Sequence, residues 1–508
     1  MLVISTFQII ALIFTMLHIK ITSILRGFAF ILLLILAIII SIQIGSVISI
    51  GEYIPPLALA NISEMNSIGW KVKVVPFAVL IISAIISIVL NKIKAKKKIR
   101  KIIIISLLMS LAIPISPITS FFASLHTNYI ESKDYNMSPY EMDSIKLKYK
   151  KNEVTKNSYS HALINGDRKN ILVIFVEGMS SLVISKDLTP NIYKLRENGI
   201  SFSNYYNHTA ATFRGLRGQL TSSYQMTGGY YKDKTGIGQS NKRDIDTKFN
   251  KYDYITKLTT SLEDNGYYTY FQASNSIHAP LSLMLDTLNF NRIYGREDYK
   301  KNTGELTDKE SFDLLLNNLK DAKEPFFYGI YTVGTHLGLD SPDIKYRDGK
   351  NEYLNHFHQM DYWLGDFIAK FNKTEISKNT IIILTTDHAS YPTEDYRNTF
   401  NTTNKEFVDK IPLIILNHEI KAGDINAHGL NSLSLTPTIL DIVGVNKLNN
   451  MFLGDSLFEE NKNKNKNKNN CTSAIGDKYI KTCNEKVEIE ANKETIESIK
   501  QLQYFGER

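Results

Sequence analysis

Four apolar runs fill the first 125 residues, at about 2–17, 28–50, 74–91 and 102–125. Each is close to the roughly 20 residues that an α-helix needs to cross a bilayer. The spacing predicts an N-terminal transmembrane domain of about four helices over residues 1–125. The run from Phe28 to Ile50 is the clearest, with Gln43 its most polar side chain, and the first run is cut short by His18 and Lys20. No basic segment precedes the first run and no small-residue cleavage site follows it before the second, which weighs against a cleaved signal peptide.

Charge sets the orientation. Lys92, Lys94, Lys96, Lys97, Lys98, Arg100 and Lys101 lie between the third and fourth runs, and such a loop is expected on the cytoplasmic side. With four spans, everything after residue 125 is then delivered to the outer side. Residues 1–130 hold 11 Lys/Arg against 2 Asp/Glu, so the net charge of +8 falls to about −1 once they are set aside. The basicity therefore reflects topology and contact with anionic lipid, not a nucleic-acid surface.

Residues 126–168 are polar, without a sustained apolar period, and are expected to form a juxtamembrane linker. From Asn170 the pattern changes. Short apolar runs at 171–176, 268–273, 326–333, 381–385 and 411–416 alternate with helical stretches at 190–198, 253–265, 308–320, 353–371 and 436–443. Continuous Val/Ile/Leu runs of this length, separated by helices, predict an α/β domain over 169–458 with a mostly parallel sheet covered on both faces. The tract NKNKNKNKNN (461–470) cannot bury a core, and is expected to lead, within 459–508, to a small terminal module. That module carries the only two cysteines, Cys471 and Cys483, at a spacing easily bridged on the outer side of a membrane. Neither lies near the polar residues described next, which argues against a cysteine nucleophile or a thiolate metal site.

Those polar residues stand where apolar runs stop. Glu177 follows ILVIFV, His336 ends FFYGIYTVGTH, Asp387-His388 end IIILTTDH, and Thr212 sits in HTAATFRGLRG. Strand ends of an open α/β sheet deliver side chains to a common crevice. Two carboxylates, an imidazole and a hydroxyl meeting there would hold one divalent metal, Mn²⁺ foremost with Mg²⁺ or Zn²⁺ as alternatives, against a threonine nucleophile. Each residue also has a plainer reading. Glu177 could support a following helix, Thr212 could cap one, Asp387-His388 could form a surface turn, and His336 could be structural. Arg214 could pair with a phosphate oxygen or be solvated. His356 and His358, near Asp361, suggest packing or surface roles, and His208 has no independent support.

Glu177 after its strand, then LTPNIYKLRENGISFSNYY (188–206), TTDH, TPTILDIVG (436–444) and FLGDSLF (452–458), resembles the sulfatase/alkaline-phosphatase-like superfamily over roughly 170–458. With an N-terminal helical membrane domain, the chain looks like the lipoteichoic acid synthase and phosphoglycerol/phosphoethanolamine transferase branch. The resemblance implies Glu177, Thr212, Asp387 and His388 as metal ligands, Thr212 also as nucleophile, and His336 as a substrate-contacting residue. It implies a bacterial plasma-membrane enzyme with its catalytic domain outside. Such an enzyme takes a headgroup from phosphatidylglycerol or phosphatidylethanolamine and passes it to a glycan or lipid acceptor. The TxRGL segment at 212–216 is similar to that of Gram-negative phosphoglycerol-transferring relatives. The Cys/Ser-Pro-Arg nucleophile motif of true sulfatases is absent. The alternative within the same fold is a hydrolase, a phosphodiesterase or sulfuric ester hydrolase; from another class, it is a non-catalytic membrane receptor or scaffold.

Overall fold

The structure is a computed structural model describing residues 1–17, 24–55, 70–92, 116–131, 138–155, 160, 168–224, 255–336, 343–459 and 471–506. The chain forms two compact units, Met1–Lys133 with Thr393–Thr403, and Asp134–Pro392 with Asn404–Arg508.

The first unit is helical: Leu2–Met16, Ile24–Ile50, Trp70–Lys92 and Pro117–Glu131. Ile9, Leu12, Ala37, Ile40 and Ile44 pack between the helices, while Leu25, Phe28, Leu32, Phe77, Ile81 and Ile82 remain exposed and give the unit an apolar exterior. Gln43, the polar residue of the clearest run, is fully buried. Its Nε2 donates to the Pro117 carbonyl (3.1 Å) and its Oε1 accepts from Ile54 N–H (2.8 Å), so both ends of the amide are satisfied inside the bundle. Among the described residues one helix, Ile24–Ile48, is long and apolar enough to cross a membrane, and Leu2–Met16 and Val74–Val89 are apolar but shorter. The basic loop after Lys92 and most of the fourth apolar run lie outside the described residues.

The second unit contains β1 (Lys151–Glu153), β2 (Asn170–Val176), β3 (Ile200–Ser203), β4 (Tyr268–Gln272), β5 (Arg292–Tyr294), β6 (Phe326–Tyr331) and β7 (Thr380–Thr386). It continues with β8 (Ile414–Leu416), β9 (Gly423–Asn426), β10 (Lys447–Asn450), β11 (Cys471–Ile475), β12 (Tyr479–Cys483) and β13 (Lys486–Ile489). Eight strands form the central sheet in the order β5-β4-β6-β2-β7-β8-β3-β9. The α/β architecture expected from the alternating pattern is present, with a mixed, mostly parallel sheet flanked by helices. The exception is β8, which runs antiparallel to both β7 and β3. The apolar run at 411–416 yields only its last three residues as strand, because Pro412 has no N–H to give to a ladder.

β2 is the middle of this sheet and every residue in it is buried. It pairs in parallel with β6 on one side and β7 on the other, with Phe175 opposite Tyr331 and Val176 opposite Thr386. That register decides where the polar residues emerge. Glu177 and Asp387 are the next residues after a matched pair, so they leave adjacent strands at the same level. Nearby, the helix Pro190–Asn198 is capped by another element. Thr189, at its N-cap, gives its hydroxyl to the Val183 carbonyl (3.0 Å). Asp361, on the helix Glu352–Phe371, accepts instead from the N–H groups of Asn191 (3.0 Å) and Ile192 (2.7 Å).

Candidate metal centre

Gly178, at φ +54°, turns the chain directly after Glu177. Its N–H donates to Asp387 Oδ1 (2.9 Å), as does the N–H of His388 (2.8 Å). These bonds fix the carboxylate plane and leave Asp387 Oδ2 without a hydrogen bond in a side chain wholly removed from water. Thr386 locks the same corner, its single hydroxyl proton shared between the Val176 and His388 carbonyls (Oγ1 at 2.6 and 2.7 Å) and its oxygen accepting from Met179 N–H (3.0 Å). Glu177 is therefore no helix cap. Its carboxylate turns into the crevice.

Imidazole Nδ1 of His388 lies 2.8 Å from the Ala389 carbonyl, to which it donates. Nε2 is thereby directed at the carboxylates, 3.3 Å from Asp387 Oδ2 and 3.5 Å from Glu177 Oε1. Ligand atoms from Glu177, Asp387 and His388 all lie within 4.8 Å of one another, and all three side chains are buried. Burial and the neighbouring Glu177 charge push the Asp387 carboxyl up to about 7. Burial would raise Glu177 as well, but the charges of His388 and His336 and the Tyr331 hydroxyl outweigh it and hold Glu177 low. Burial opposes protonation of His388, and the two carboxylates overcome it. Two acids sealed against each other are costly unless positive charge joins them. The unbonded Asp387 oxygen, the oriented imidazole nitrogen and the close spacing fit a divalent cation.

The helix Thr212–Thr221 brings the hydroxyl. Thr212 does not cap it: Ala211 occupies that position, at φ +72°, and Thr212 is the first helical residue. Its Oγ1 donates to Glu177 Oε2 (3.2 Å). The helix can come this close because Gly215 carries no side chain, since a Cβ there would overlap the Asp387 carbonyl. Overpacking of this kind costs about 1–3 kcal/mol. Gln219, one turn on, donates to the Thr386 and Asp387 carbonyls (both 3.0 Å) and ties the helix to the end of β7.

Glu177, Thr212, Asp387 and His388 thus come together. His336 lies close enough for its charge to act on Glu177. Arg214 is buried, not solvated; its Nε donates to the Ala210 carbonyl (3.0 Å) and its charge reaches His388. The other histidines are elsewhere. His208 is fully buried with Nδ1 2.6 Å from Ser432 Oγ, and burial drops its pKa to about 3. His356 is buried, and His358 Nδ1 contacts the Leu188 carbonyl (2.8 Å).

Two residues escape a sequence reading. Tyr331, last in β6, donates its hydroxyl to Glu177 Oε2 and lies 3.5 Å from Thr212 Oγ1. A tyrosine closing an aromatic strand was the available signal, but it is indistinguishable there from core. Thr335 donates to the Glu177 carbonyl (2.6 Å) and anchors the loop bearing His336.

The same loop rests on Asp308. Its Oδ1 accepts from Gly334 N–H (2.9 Å), its Oδ2 makes no hydrogen bond, and a Cβ on Gly334 would overlap the carboxylate. Burial pushes Asp308 up to about 6, well above the usual aspartate range, against the pull of the Gly334 N–H. A raised acid favours the folded state fully below its unfolded pKa, and that advantage is lost as pH rises through the folded value. Asp308→Asn, which places an NH₂ at the unbonded oxygen, should therefore stabilise the protein at pH 7 by up to about 3 kcal/mol. The gain should vanish below about pH 4, where both forms of the parent are protonated. Thermal midpoints of parent and variant across that range check this, and a pH-independent difference contradicts it.

A family model described as Sulfatase matches residues 169–445. The lipoteichoic acid synthase of Staphylococcus aureus (strain USA300) is 22% identical over 356 residues, covering 65% of this chain and 53% of the relative. The chain thus spans about half the length of the curated relatives it matches. Two solved structures share the fold. One is a protein of the alkaline phosphatase superfamily from Vibrio parahaemolyticus (TM-score 0.53, 17% identity, 73% of this chain and 95% of that one). The other is a lipoteichoic acid synthase from Listeria monocytogenes (TM-score 0.53, 13% identity, 73% and 96%). With its strand-end carboxylates and imidazole inside the matched region, the chain belongs to the sulfatase family.

Proposed function

We propose that this protein is a membrane-bound, metal-dependent transferase. It moves a phosphoglycerol or phosphoethanolamine headgroup from a phospholipid to a glycan or lipid acceptor of the bacterial cell envelope, on the outer side of the plasma membrane. The observation that carries the reading is the Thr212 hydroxyl, held 3.2 Å from Glu177 at the edge of the buried Glu177–Asp387–His388 group.

Glu177, Asp387, His388 and Thr212 would hold the cation, Mn²⁺ by preference over Mg²⁺ or Zn²⁺. When bound, it supplies Lewis-acid charge that favours the ionised threonine oxygen and offsets charge on the phosphoryl oxygens. Thr212 Oγ attacks phosphorus, the bond to the diacylglycerol oxygen breaks, and that oxygen takes a proton. A phosphodiester remains on Thr212. The acceptor hydroxyl then attacks the same phosphorus, and Thr212 leaves and regains its proton. His336, near Glu177, is placed to hold a phosphoryl oxygen or protonate the leaving oxygen. Arg214, whose charge reaches His388, would add positive charge near the phosphoryl oxygens. Two steps of this kind need in-line geometry, and the position of Thr212 at the start of its helix, which limits its backbone freedom, supports this reading.

The test is incubation with phosphatidylglycerol or phosphatidylethanolamine labelled in the headgroup. Diacylglycerol should be released, and the peptide containing Thr212 should gain the mass of the phosphorylated headgroup. Free headgroup phosphate with no transfer to any acceptor would instead identify a hydrolase. Neither diacylglycerol nor adduct from either lipid would defeat the reading.

A further inference from the structure

The C-terminal segment beyond residue 470 forms the antiparallel sheet β11-β12-β13, closed by the Cys471–Cys483 disulfide between directly opposed residues. This hairpin is stitched to the segment that leads into Thr212. Ile475 N–H donates to the His208 carbonyl (2.8 Å), and Ala210 N–H donates back to the Ile475 carbonyl (3.0 Å), making a parallel bridge at Thr209. Further bonds secure the hairpin to the same unit. Asn431 Nδ2 donates to the Ser473 carbonyl (2.7 Å), Tyr224 donates its hydroxyl to that same carbonyl, and Thr482 donates to the Gly429 carbonyl (2.8 Å). Ala474 and Ile480 pack with Tyr206 and Val408. The β11–β12 turn carries Asp477, whose carboxyl burial raises and the charge of Arg214 lowers.

Between Ala210, whose N–H closes the bridge, and the nucleophile lies one residue, Ala211, at φ +72°. A non-glycine residue there costs on the order of 1–3 kcal/mol and persists only where its surroundings over-determine it. On one side Ala211 is held by the helix that begins at Thr212. On the other, Ala210 has its N–H bound by Ile475 and its carbonyl bound by Arg214 Nε (3.0 Å). Ile475 stands opposite Tyr479 as a non-hydrogen-bonded pair of the antiparallel ladder, so its N–H and carbonyl both point away from β12 and the N–H is given to His208.

We propose that the β11–β12 hairpin is a positioning element for the nucleophile: it fixes the backbone of residues 208–210 so that Ala211 keeps its disfavoured conformation and Thr212 Oγ1 stays directed at Glu177. The inference rests on Thr212 being the attacking residue. Without the bridge, Ala211 relaxes to negative φ and the hydroxyl swings away, while Glu177, Asp387 and His388, which sit on β2 and β7, stay in place. The hairpin thus governs attack far more than metal affinity, of which it can take only the Thr212 ligand while Glu177, Asp387 and His388 remain. The disulfide holds β11 in register, so it stands behind the same effect.

Three variants of the full chain test this: Ile475→Pro, which removes the N–H given to His208; Ile475→Val, which keeps it; and Cys471→Ser with Cys483→Ser. The measurements are the single-turnover rate of adduct formation on Thr212, Mn²⁺ affinity by calorimetry, and amide hydrogen exchange at Ala210. Ile475→Pro should slow adduct formation roughly 100-fold, the scale of a displacement of about 1 Å at a reacting atom. Mn²⁺ affinity should fall by no more than the loss of one ligand, about tenfold, half-saturating lipid should stay within about twofold, and Ala210 should lose protection. Ile475→Val should behave as the parent. The double serine variant should slow adduct formation by about tenfold and speed Ala210 exchange in step. The parent treated with a thiol reductant should match it, and the variant should be indifferent to reductant. If Ile475→Pro does not fold, the serine variant and the reductant decide alone. Adduct formation at the parental rate with Ala210 unprotected overturns the proposal, as does loss of Mn²⁺ affinity in parallel with rate. A parent that forms no adduct at all, with Ala210 protected as described, would instead refute the role given to Thr212.

Discussion

Replacing Thr212 with alanine should abolish the covalent adduct and reduce headgroup transfer by roughly 10⁴-fold, because no other hydroxyl lies between residues 210 and 218. The fold should barely notice. Thr212 is the first residue of its helix and not its cap, and its hydroxyl is spent on Glu177. Stability should therefore change by less than about 0.5 kcal/mol, where removal of a capping threonine costs typically about 1 kcal/mol. The serine variant separates the two roles further. It keeps the hydroxyl but loses the β-methyl that restricts its rotamer, so adduct should form more slowly and still be detected. Peptide mass analysis after incubation with lipid, read beside thermal midpoints, gives both quantities. Diacylglycerol release by the alanine variant at the parental rate would leave Thr212 as a structural residue and end the transfer mechanism.

Asp387→Asn should be nearly as damaging through the metal. Asp387 divides its work between two oxygens. Oδ1 accepts from Gly178 and His388 N–H groups, and Oδ2 makes no hydrogen bond and faces Nε2 of His388 at 3.3 Å. Asparagine reproduces the first oxygen and puts an NH₂ donor in place of the second. The turn after β7 should persist while the cation loses both a charge and a lone pair. Affinity for Mn²⁺ should fall by at least about 100-fold, with secondary structure unchanged. Calorimetric titration of Mn²⁺ into the two proteins measures this directly. Undiminished affinity would show that Asp387 is not a metal ligand.

The strand ends were legible because their cause is local. Ile171–Val176 and Ile381–Leu384 are continuous apolar runs, and a charged residue that stops such a run has few places to be except the sheet edge. Helix starts were less so. Thr212 itself reads as a helix cap, and nothing in HTAATFRGLRG announces that Ala211 would take that position, at positive φ, in its stead. Partners far apart in sequence were not legible at all. Asp361 capping the helix at 190, Asp308 beneath Gly334 and Ile475 beside Thr209 each depend on a tertiary approach that no periodicity encodes. Pro412 could have warned that the 411–416 run would shorten, since it removes a ladder donor, but the reversed direction of β8 follows only from how the chain returns to the sheet.

The order β6-β2-β7 also bears on how the protein is made. The strand at the centre of the sheet is the first of the three to leave the ribosome, and both neighbours are synthesised well after it. Until β6 emerges β2 has no mate on either side, and until β7 emerges it still lacks one on the other. Parallel pairings over such separations form slowly and expose unpaired edges while they wait. A chain threaded outward through a membrane would present Ile171–Val176 to the far side long before the Thr380–Thr386 segment that covers it. On the proposed outward orientation, folding of this unit should accordingly depend on a holding chaperone during export, and its demand for one should drop once residue 386 has crossed.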